Sequence, residues 1–344
     1  MKVCRRIGYL AIAACLGPLG AAASSGSTTA ELAPPPIYVD CRGASSESPT
    51  VVLEAGAFGT SADWDRVERI LAPSGRVCAY DRAGLGRSAP RENQPDAETV
   101  ARELAGLLDE LGERAPVILA GHSNGGLYVE AFARLFPDRT AGLLYLDAVG
   151  TDDLDNPTVM AELRDEEFRA ELAVRGATLG LAPLIVGHII SGIGLHGRAA
   201  AHKWAALTSL RHLRASRREV LQIIPSLHSL RSLAPVRRAI PTVVIVAAQR
   251  PNEQRDRAWR EVQVAPAARA CRGWVLDANG ASHVTPLGRD RAYLVAAVEW
   301  LRAEVRRGPT AACTPEVLRG DPPCNNRVGA VINLSSWRWS DATK

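Results

Sequence analysis

The sequence predicts an α/β fold with a mostly parallel central sheet and an inserted helical segment. Short apolar stretches alternate with helical patterns between residues 51 and 146, as in a parallel sheet whose strands are joined by helices. The strand pattern resumes only at Thr242, after roughly ninety residues that lack it. Because the two groups of strands are expected to share one sheet, we predict that this interval is a helical cap inserted between them.

The core elements are predicted from local patterns. Each predicted strand is a short apolar run that lies between polar residues, glycines or prolines. The predicted helices have apolar residues three and four positions apart, as Val100, Leu104 and Leu107 illustrate in the first of them. The strands are predicted at 51–53, 76–80, 116–120, 142–146, 242–247 and 273–276, and the helices at 97–111, 127–136 and 291–305.

Six segments are predicted along the 344 residues. They are a signal peptide at 1–23, a linker at 24–36, the first part of the core at 37–150, the helical cap at 151–238, the second part of the core at 239–307 and a cysteine-containing tail at 308–344. A chain of this length with 47% hydrophobic residues can bury one large core and an insertion.

The first 23 residues have the features of a secretory signal. A basic start precedes an apolar run at 7–16, which is too short to span a bilayer, and small residues follow. We expect cleavage after Ala23 and a secreted or periplasmic protein. The segment 12–15 also resembles a lipobox, which would leave a lipidated Cys15 as a less favoured alternative. The intact mass of the exported protein distinguishes the two.

Export permits disulfides, and five cysteines follow the predicted cleavage site: Cys41, Cys78, Cys271, Cys313 and Cys324. The odd number leaves at least one unpaired within the chain. The first expected pair is Cys313 with Cys324, which close a short loop in the tail. Cys41 can pair with Cys78 if their strands are neighbours, and Cys271 would then be unpaired. No cysteine or histidine spacing is typical of a zinc site.

The charge of the chain does not indicate nucleic acid as a partner. The net charge of +4 includes three basic residues of the leader, and without them 38 Lys and Arg face 37 Asp and Glu. Residues 176–197 contain no Asp, Glu, Lys or Arg. We interpret this stretch as a lid that contacts an apolar part of a small-molecule substrate, because a membrane span would interrupt the sheet. The oligomeric state is left open.

The pentapeptide Gly121-His122-Ser123-Asn124-Gly125 matches G-x-S-x-G, the nucleophile elbow. A predicted strand at 116–120 precedes it and a predicted helix at 127–136 follows it. This context places a serine on a sharp turn, with its hydroxyl at the edge of a sheet. Ser123 is therefore the predicted nucleophile.

A serine nucleophile needs a base, and the chain has seven histidines. His122 is the immediate neighbour of the serine and cannot reach it correctly. Only His283 lies in the predicted core after the last strand, and the chain order Ser, acid, His places the base last. The other five histidines lie in the predicted cap: His188, His196, His202, His212 and His228.

The third member, an acid that orients the imidazole, has two candidates. Asp147 directly follows the last predicted strand before the cap, and Glu253 comes shortly after the first strand beyond it. We favour Asp147, with Glu253 as the alternative acid. The oxyanion hole needs two backbone N–H groups. We predict those of Asn124, which follows the nucleophile, and of Ala57, in the glycine-rich loop after the first strand.

Four motifs give the chain its resemblance to the α/β-hydrolase superfamily, specifically to its capped serine esterase-like members. They are Val51–Ala57, Tyr80–Ser88, Gly121–Gly126 and Ser282–His283, and the resemblance covers about residues 36–306. It implies a Ser-His-acid triad, no metal and no organic cofactor. This sequence departs from the family pattern in two places. Where the family usually has His-Gly in the oxyanion loop, this chain has Ala55-Gly56, and no acidic residue directly follows the strand after the cap.

The resemblance implies hydrolysis of a carboxylic ester through an acyl-enzyme. Amidase or peptidase, lactonase and cofactor-free perhydrolase activities use the same residues and remain alternatives. A non-catalytic secreted binding protein on this fold is a further alternative, since fold alone does not establish function. The match of residues 84–89 to G-x-G-x-x-A is not followed by the helix that a dinucleotide site needs.

Overall fold

A seven-stranded sheet forms the centre of the computed structural model, which describes residues 36–45, 48–91, 95–247 and 253–308. The strand order is β1-β3-β2-β4-β5-β6-β7; β1 is antiparallel to β3 and the other neighbours are parallel. The strands are β1 Tyr38–Arg42, β2 Val51–Glu54, β3 Val77–Asp81, β4 Val117–His122, β5 Thr140–Leu146, β6 Thr242–Val246 and β7 Gly273–Asp277. This confirms the predicted α/β class and mostly parallel sheet.

Ten α-helices lie in the described residues. They are α1 Asp65–Leu71, α2 Ala97–Glu110, α3 Gly125–Leu135, α4 Pro157–Thr178, α5 Pro183–Ile193, α6 Gly197–Leu207, α7 Leu210–Leu221, α8 Ile223–Ser232, α9 Glu253–Arg269 and α10 Ala292–Arg307. Two apolar cores lie on opposite faces of the sheet. One contains α2, α3 and α8, and the other contains α1 and α10, so strands buried on both faces have the continuous apolar sequences that the prediction used.

The parts of the fold that the sequence analysis missed have weak local signals. The edge strand β1 is half-buried along its whole length and contains charged residues. The helix α1 has only seven residues. The helix α9 has a weak apolar stripe and contains Pro266 near its end, which breaks the usual helical pattern. This last omission matters most, because α9 packs against β6 and β7 and reaches the candidate site.

One disulfide joins Cys41 to Cys78. The two cysteines are direct partners in the antiparallel register of β1 and β3, which places their side chains next to each other. The bridge ties the edge strand to the sheet. The predicted pair Cys313 and Cys324 lies outside the described residues, as do the leader and residues 24–35 of the linker.

The interval between β5 and β6 is helical and contains α4–α8. Among the helices of the described residues, none combines the length and apolar content that a membrane crossing needs. The helices α4–α6 and their connections carry every large apolar side chain that is exposed in the described ranges: Phe168, Leu172, Leu179, Leu181, Leu184, Ile185, Ile189 and Trp204. That this segment acts as a substrate-shading lid stays a prediction.

A buried carboxyl group makes the stability of the fold depend on pH. Glu68 on α1 is 1% exposed, and its Oε1 atom has no hydrogen-bond partner among the described residues. Burial, helped by the nearby carboxylate of Asp40, raises the pKa of Glu68 to about 8 from 4.5. The folded protein thus holds this proton more tightly than the unfolded chain does, and folding stability falls as pH rises from about 4.5 to about 8.

Replacing Glu68 with glutamine should therefore stabilise the protein at alkaline pH. We expect little difference from the wild type near pH 4.5, and an advantage that grows by about 1.4 kcal/mol per pH unit through this window. Thermal unfolding from pH 5 to pH 9 measures it, with Glu110→Gln at an exposed position of α2 as the control. A difference between the two proteins that does not change with pH would contradict the prediction.

Candidate active site

Ser123 lies in the sharp turn between β4 and α3, half-buried and with a φ of 53°. This left-handed conformation is strained for a residue with a side chain. Glycines make the turn possible: a Cβ atom at Gly121 would lie 2.5 Å from the carbonyl carbon of Gly125. A Cβ at Gly125 would in turn overlap the carbonyl oxygen of Glu54. The glycines of the pentapeptide are therefore required by the approach of the two backbones.

His283 and Asp147 form a direct hydrogen bond. The Nδ1 atom of His283 lies 2.6 Å from Oδ2 of Asp147, whose side chain is fully buried. A carboxylate in this position accepts the Nδ1 proton, and the Nε2 atom of the neutral ring is then an acceptor. Asp147 itself directly follows β5, and its N–H donates to the carbonyl of Ile245 on β6 at 2.9 Å. The predicted base and the favoured acid are thus brought together.

The second oxygen of Asp147 is held by α9. Trp259 donates its indole N–H to Oδ1 of Asp147 at 2.7 Å. One turn further along the same helix, Gln263 bonds both the N–H and the carbonyl of Ala148. The sequence analysis missed these two residues. Residues four positions apart lie on the same face of a helix, so the spacing of Trp259 and Gln263 could have indicated that they act together. This signal was not used because the sequence analysis did not predict α9.

Glu253, the alternative acid, is exposed at the first residue of α9. The carboxylate that accepts the hydrogen bond from His283 is that of Asp147. The strand β6 ends at Val246, and the part of the chain just before Glu253 is outside the described residues.

His122 supports the loop that carries His283. Its Nε2 atom lies 2.8 Å from the carbonyl oxygen of His283, and the ring centroids are 4.6 Å apart. Burial, together with the nearby His283, lowers the pKa of His122 well below its usual value, so the ring stays neutral and donates from Nε2. Of the cap histidines, His202 and His212 are buried and the other three are exposed.

The loop after β2 lies against Ser123. A Cβ atom at Gly56 would be 2.9 Å from the Cβ of Ser123, so only glycine allows this approach. Ala57 follows directly, and Asn124 precedes the first turn of α3, where helix N–H groups favour negative charge. In the described part of the chain, neither the Ala57 nor the Asn124 backbone N–H donates to another protein group. Ala57 and Asn124, the two predicted donors, thus directly follow the two residues, Gly56 and Ser123, that approach each other here.

Backbone strain marks the same place. Within the described residues, three non-glycine residues have a positive φ: Phe58 (57°), Ser123 (53°) and Asp147 (45°). Each lies in one of the three loops that follow β2, β4 and β5 at the carboxyl edge of the sheet. Such conformations cost about 1–3 kcal/mol each and cluster at functional sites. In parallel α/β sheets this edge is where ligands bind.

These features define a candidate site with a serine, a buried aspartate and a histidine on the loops that follow β4, β5 and β7. Residues 51–298 match the model of the alpha/beta hydrolase family. The chain belongs to this family, as the four sequence motifs predicted.

The individual proteins that resemble this chain share limited sequence identity with it. A protein from Gibberella zeae, described as an AB hydrolase superfamily protein, is 33% identical over 122 residues, which cover 33% of this chain and 38% of that protein. An esterase structure from Thermogutta terrifontis has a TM-score of 0.55 and 22% identity, covering 78% of this chain and 93% of that chain. An epoxide hydrolase structure has a TM-score of 0.57 and 19% identity, covering 78% and 95%. At these identities the structural likeness shows the fold alone.

Proposed function

We propose that this protein is a serine hydrolase that cleaves carboxylic esters with Ser123, His283 and Asp147. The observation that carries the proposal is the 2.6 Å hydrogen bond from His283 to a fully buried Asp147, on loops beside the strained Ser123. The chain order Ser, Asp, His and the two available N–H groups agree with it.

The proposed reaction has two halves. The Nε2 atom of His283 takes the proton of Ser123 as the hydroxyl attacks the ester carbonyl, and the N–H groups of Ala57 and Asn124 stabilise the negative oxygen. His283 then protonates the leaving alcohol, which leaves an acyl group on Ser123. A water molecule, deprotonated by His283, hydrolyses this acyl-enzyme and returns the serine. Asp147 holds the Nδ1 proton and stabilises the imidazolium at each step.

The residue at the elbow favours ester cleavage over epoxide opening. One structural neighbour is named an epoxide hydrolase and another an esterase. Family members that open epoxides use an aspartate nucleophile, whereas this chain has Ser123. Amides, lactones and peracid formation use the same serine chemistry and are the second candidates.

We further propose that the substrate has an apolar portion that lies near α5. This helix contains no Asp, Glu, Lys or Arg, and it packs against the segment that follows His283. A Cβ at Gly192 would lie 3.9 Å from Val284, and one at Gly288 would overlap the carbonyl oxygen of Ile193. An acyl chain that leaves the site on this side would meet aliphatic side chains.

Export is also a proposal, supported by the leader sequence and by the disulfide of Cys41 with Cys78. Disulfides persist in oxidising compartments such as the periplasm or the medium.

Hydrolysis of p-nitrophenyl esters from acetate to palmitate tests the proposed function. We expect the wild type to be active and to react with a fluorophosphonate probe, and Ser123→Ala to lose about 10⁶-fold in turnover and all labelling. Ser229→Ala, at an exposed serine of α8, is the matched control and should behave as the wild type. Activity restricted to anilides would favour an amidase. Labelling and activity in neither protein would favour a binding protein, and equal activity in both would reject Ser123.

A further inference from the structure

Arg82, which follows β3, makes an unusual set of contacts with the loop after β2. Its guanidinium is 2% exposed; Nη1 donates to the carbonyl of Ala55 at 2.6 Å and Nη2 to that of Gly56 at 3.0 Å. Two buried carboxylates balance its charge: Nη1 bonds Glu54 at 2.6 Å, and Nε and Nη2 bond Glu219 on α7 at 2.9 and 2.7 Å. Arg82 thus links a core strand, a cap helix and two successive carbonyls of this loop.

Two more cap residues bind the next part of the loop. Lys203 on α6 donates to the carbonyl of Phe58 at 2.9 Å and to the buried carboxylate of Asp63 at 2.7 Å. The Nε2 atom of His212 on α7 lies 3.3 Å from the same carbonyl. Because the N–H of Gly86 donates to Nδ1 of His212 at 3.0 Å, the ring proton is on Nε2 and points to Phe58. Burial lowers the pKa of His212 to about 3, so the ring stays neutral.

These contacts form a continuous chain through two peptide groups. The carbonyl of Phe58 and the N–H of Gly59 belong to one planar peptide, and this N–H donates to the carbonyl of Gly56 at 3.1 Å. The carbonyl of Gly56 shares the next planar peptide with the N–H of Ala57. In a trans peptide the two groups point in opposite directions, so donors that fix the Gly56 oxygen also fix the direction of the Ala57 N–H.

We propose that Arg82, Lys203 and His212 position and polarise the Ala57 N–H as an oxyanion donor. Two residues of the helical cap, Lys203 and His212, thereby help to form the oxyanion hole. The proposal rests on the serine hydrolase function proposed above. Two cations lie at the carbonyl ends of a hydrogen-bonded peptide chain, and each bond in such a chain strengthens the next donor. The N–H at its free end is that of Ala57. These three residues are positioning residues, since none of them contacts the reacting atoms.

Arg82→Lys and Lys203→Met test the proposal, with Arg302→Lys as the matched control. Lysine keeps the charge of Arg82 but cannot bond both carbonyls and both carboxylates at once. Arg302 on α10 is also a fully buried arginine and bonds the backbone carbonyls of Leu71 and Arg76, away from this loop. Kinetics on p-nitrophenyl esters and hydrogen exchange of the peptide that contains Gly59 are measured for all four proteins.

We expect Arg82→Lys and Lys203→Met each to lower kcat about 10- to 100-fold, with KM within about threefold of the wild type. The loss of an entire oxyanion donor lowers kcat about 10²- to 10³-fold, and these variants only weaken the placement of one donor. Exchange at Gly59 should become faster while β4 stays protected, and Arg302→Lys should change neither quantity. An unchanged kcat, an effect confined to KM, or faster exchange throughout the protein would each overturn the proposal. If the wild type hydrolyses no ester, the proposed function fails, and the exchange at Gly59 still decides whether the cap holds the loop. Should one variant not fold, the other gives the same test.

Discussion

Replacing His283 with alanine is expected to lower kcat for ester hydrolysis about 10⁶-fold, as much as the loss of Ser123 itself. The hydroxyl of an isolated serine is a poor nucleophile, and among the described residues His122 is the histidine whose ring lies beside that of His283. His122 stands beside it, but its Nε2 proton is engaged by the carbonyl of His283 and burial keeps its pKa low. The two losses should not add in the double variant, because serine and histidine act as one unit.

Steady-state kinetics and fluorophosphonate labelling measure this effect. His228→Ala is the control, since His228 is exposed on α8 and should leave both measurements unchanged. Circular dichroism checks that His283→Ala is folded, which we expect because the His283 side chain is 37% exposed. More than a hundredth of the wild-type activity in the variant would show that another group serves as the base.

Ser123 and His283 became candidates for different reasons, of which only the first is a local sequence signal. The elbow motif consists of consecutive residues, with glycines at the two positions where the backbone leaves no room for a side chain. His283 followed from its place after the last strand. Asp147 was a choice between two acids, since the sequence could not show which loop bends back towards the imidazole.

The supporting contacts could not be predicted because they join residues that are far apart in sequence. Arg82 bonds Glu219 across 137 positions, and Trp259 bonds Asp147 across 112. The groups that Arg82 and Lys203 bind on the loop after β2 are backbone carbonyls, which have no side-chain signature. The sequence around each of these residues contains no recognisable motif, and only the fold brings them to the carboxyl edge of the sheet.

Asp147→Asn is expected to lower kcat about 10⁴-fold while the fold is kept, and Glu253→Gln to leave kcat unchanged. The carboxylate of Asp147 accepts hydrogen bonds at both oxygens, one from Trp259 and one from His283. An asparagine that keeps its oxygen on the Trp259 indole turns its NH₂ group towards Nδ1 of His283. The imidazole must then carry its proton on Nε2, where it can no longer accept the proton of Ser123.

The pair of variants also decides between the two candidate acids, by steady-state kinetics on the best ester of the series. Glu253 and Asp147 are both single carboxylates, so the comparison removes one charge in each protein. The exposed position of Glu253 makes its loss harmless to folding, and thermal unfolding shows whether Asp147→Asn remains folded. The opposite pattern, an active Asp147→Asn and an impaired Glu253→Gln, would assign the acid to Glu253. The observed hydrogen bond between Asp147 and His283 would then belong to a resting arrangement that the reaction does not use.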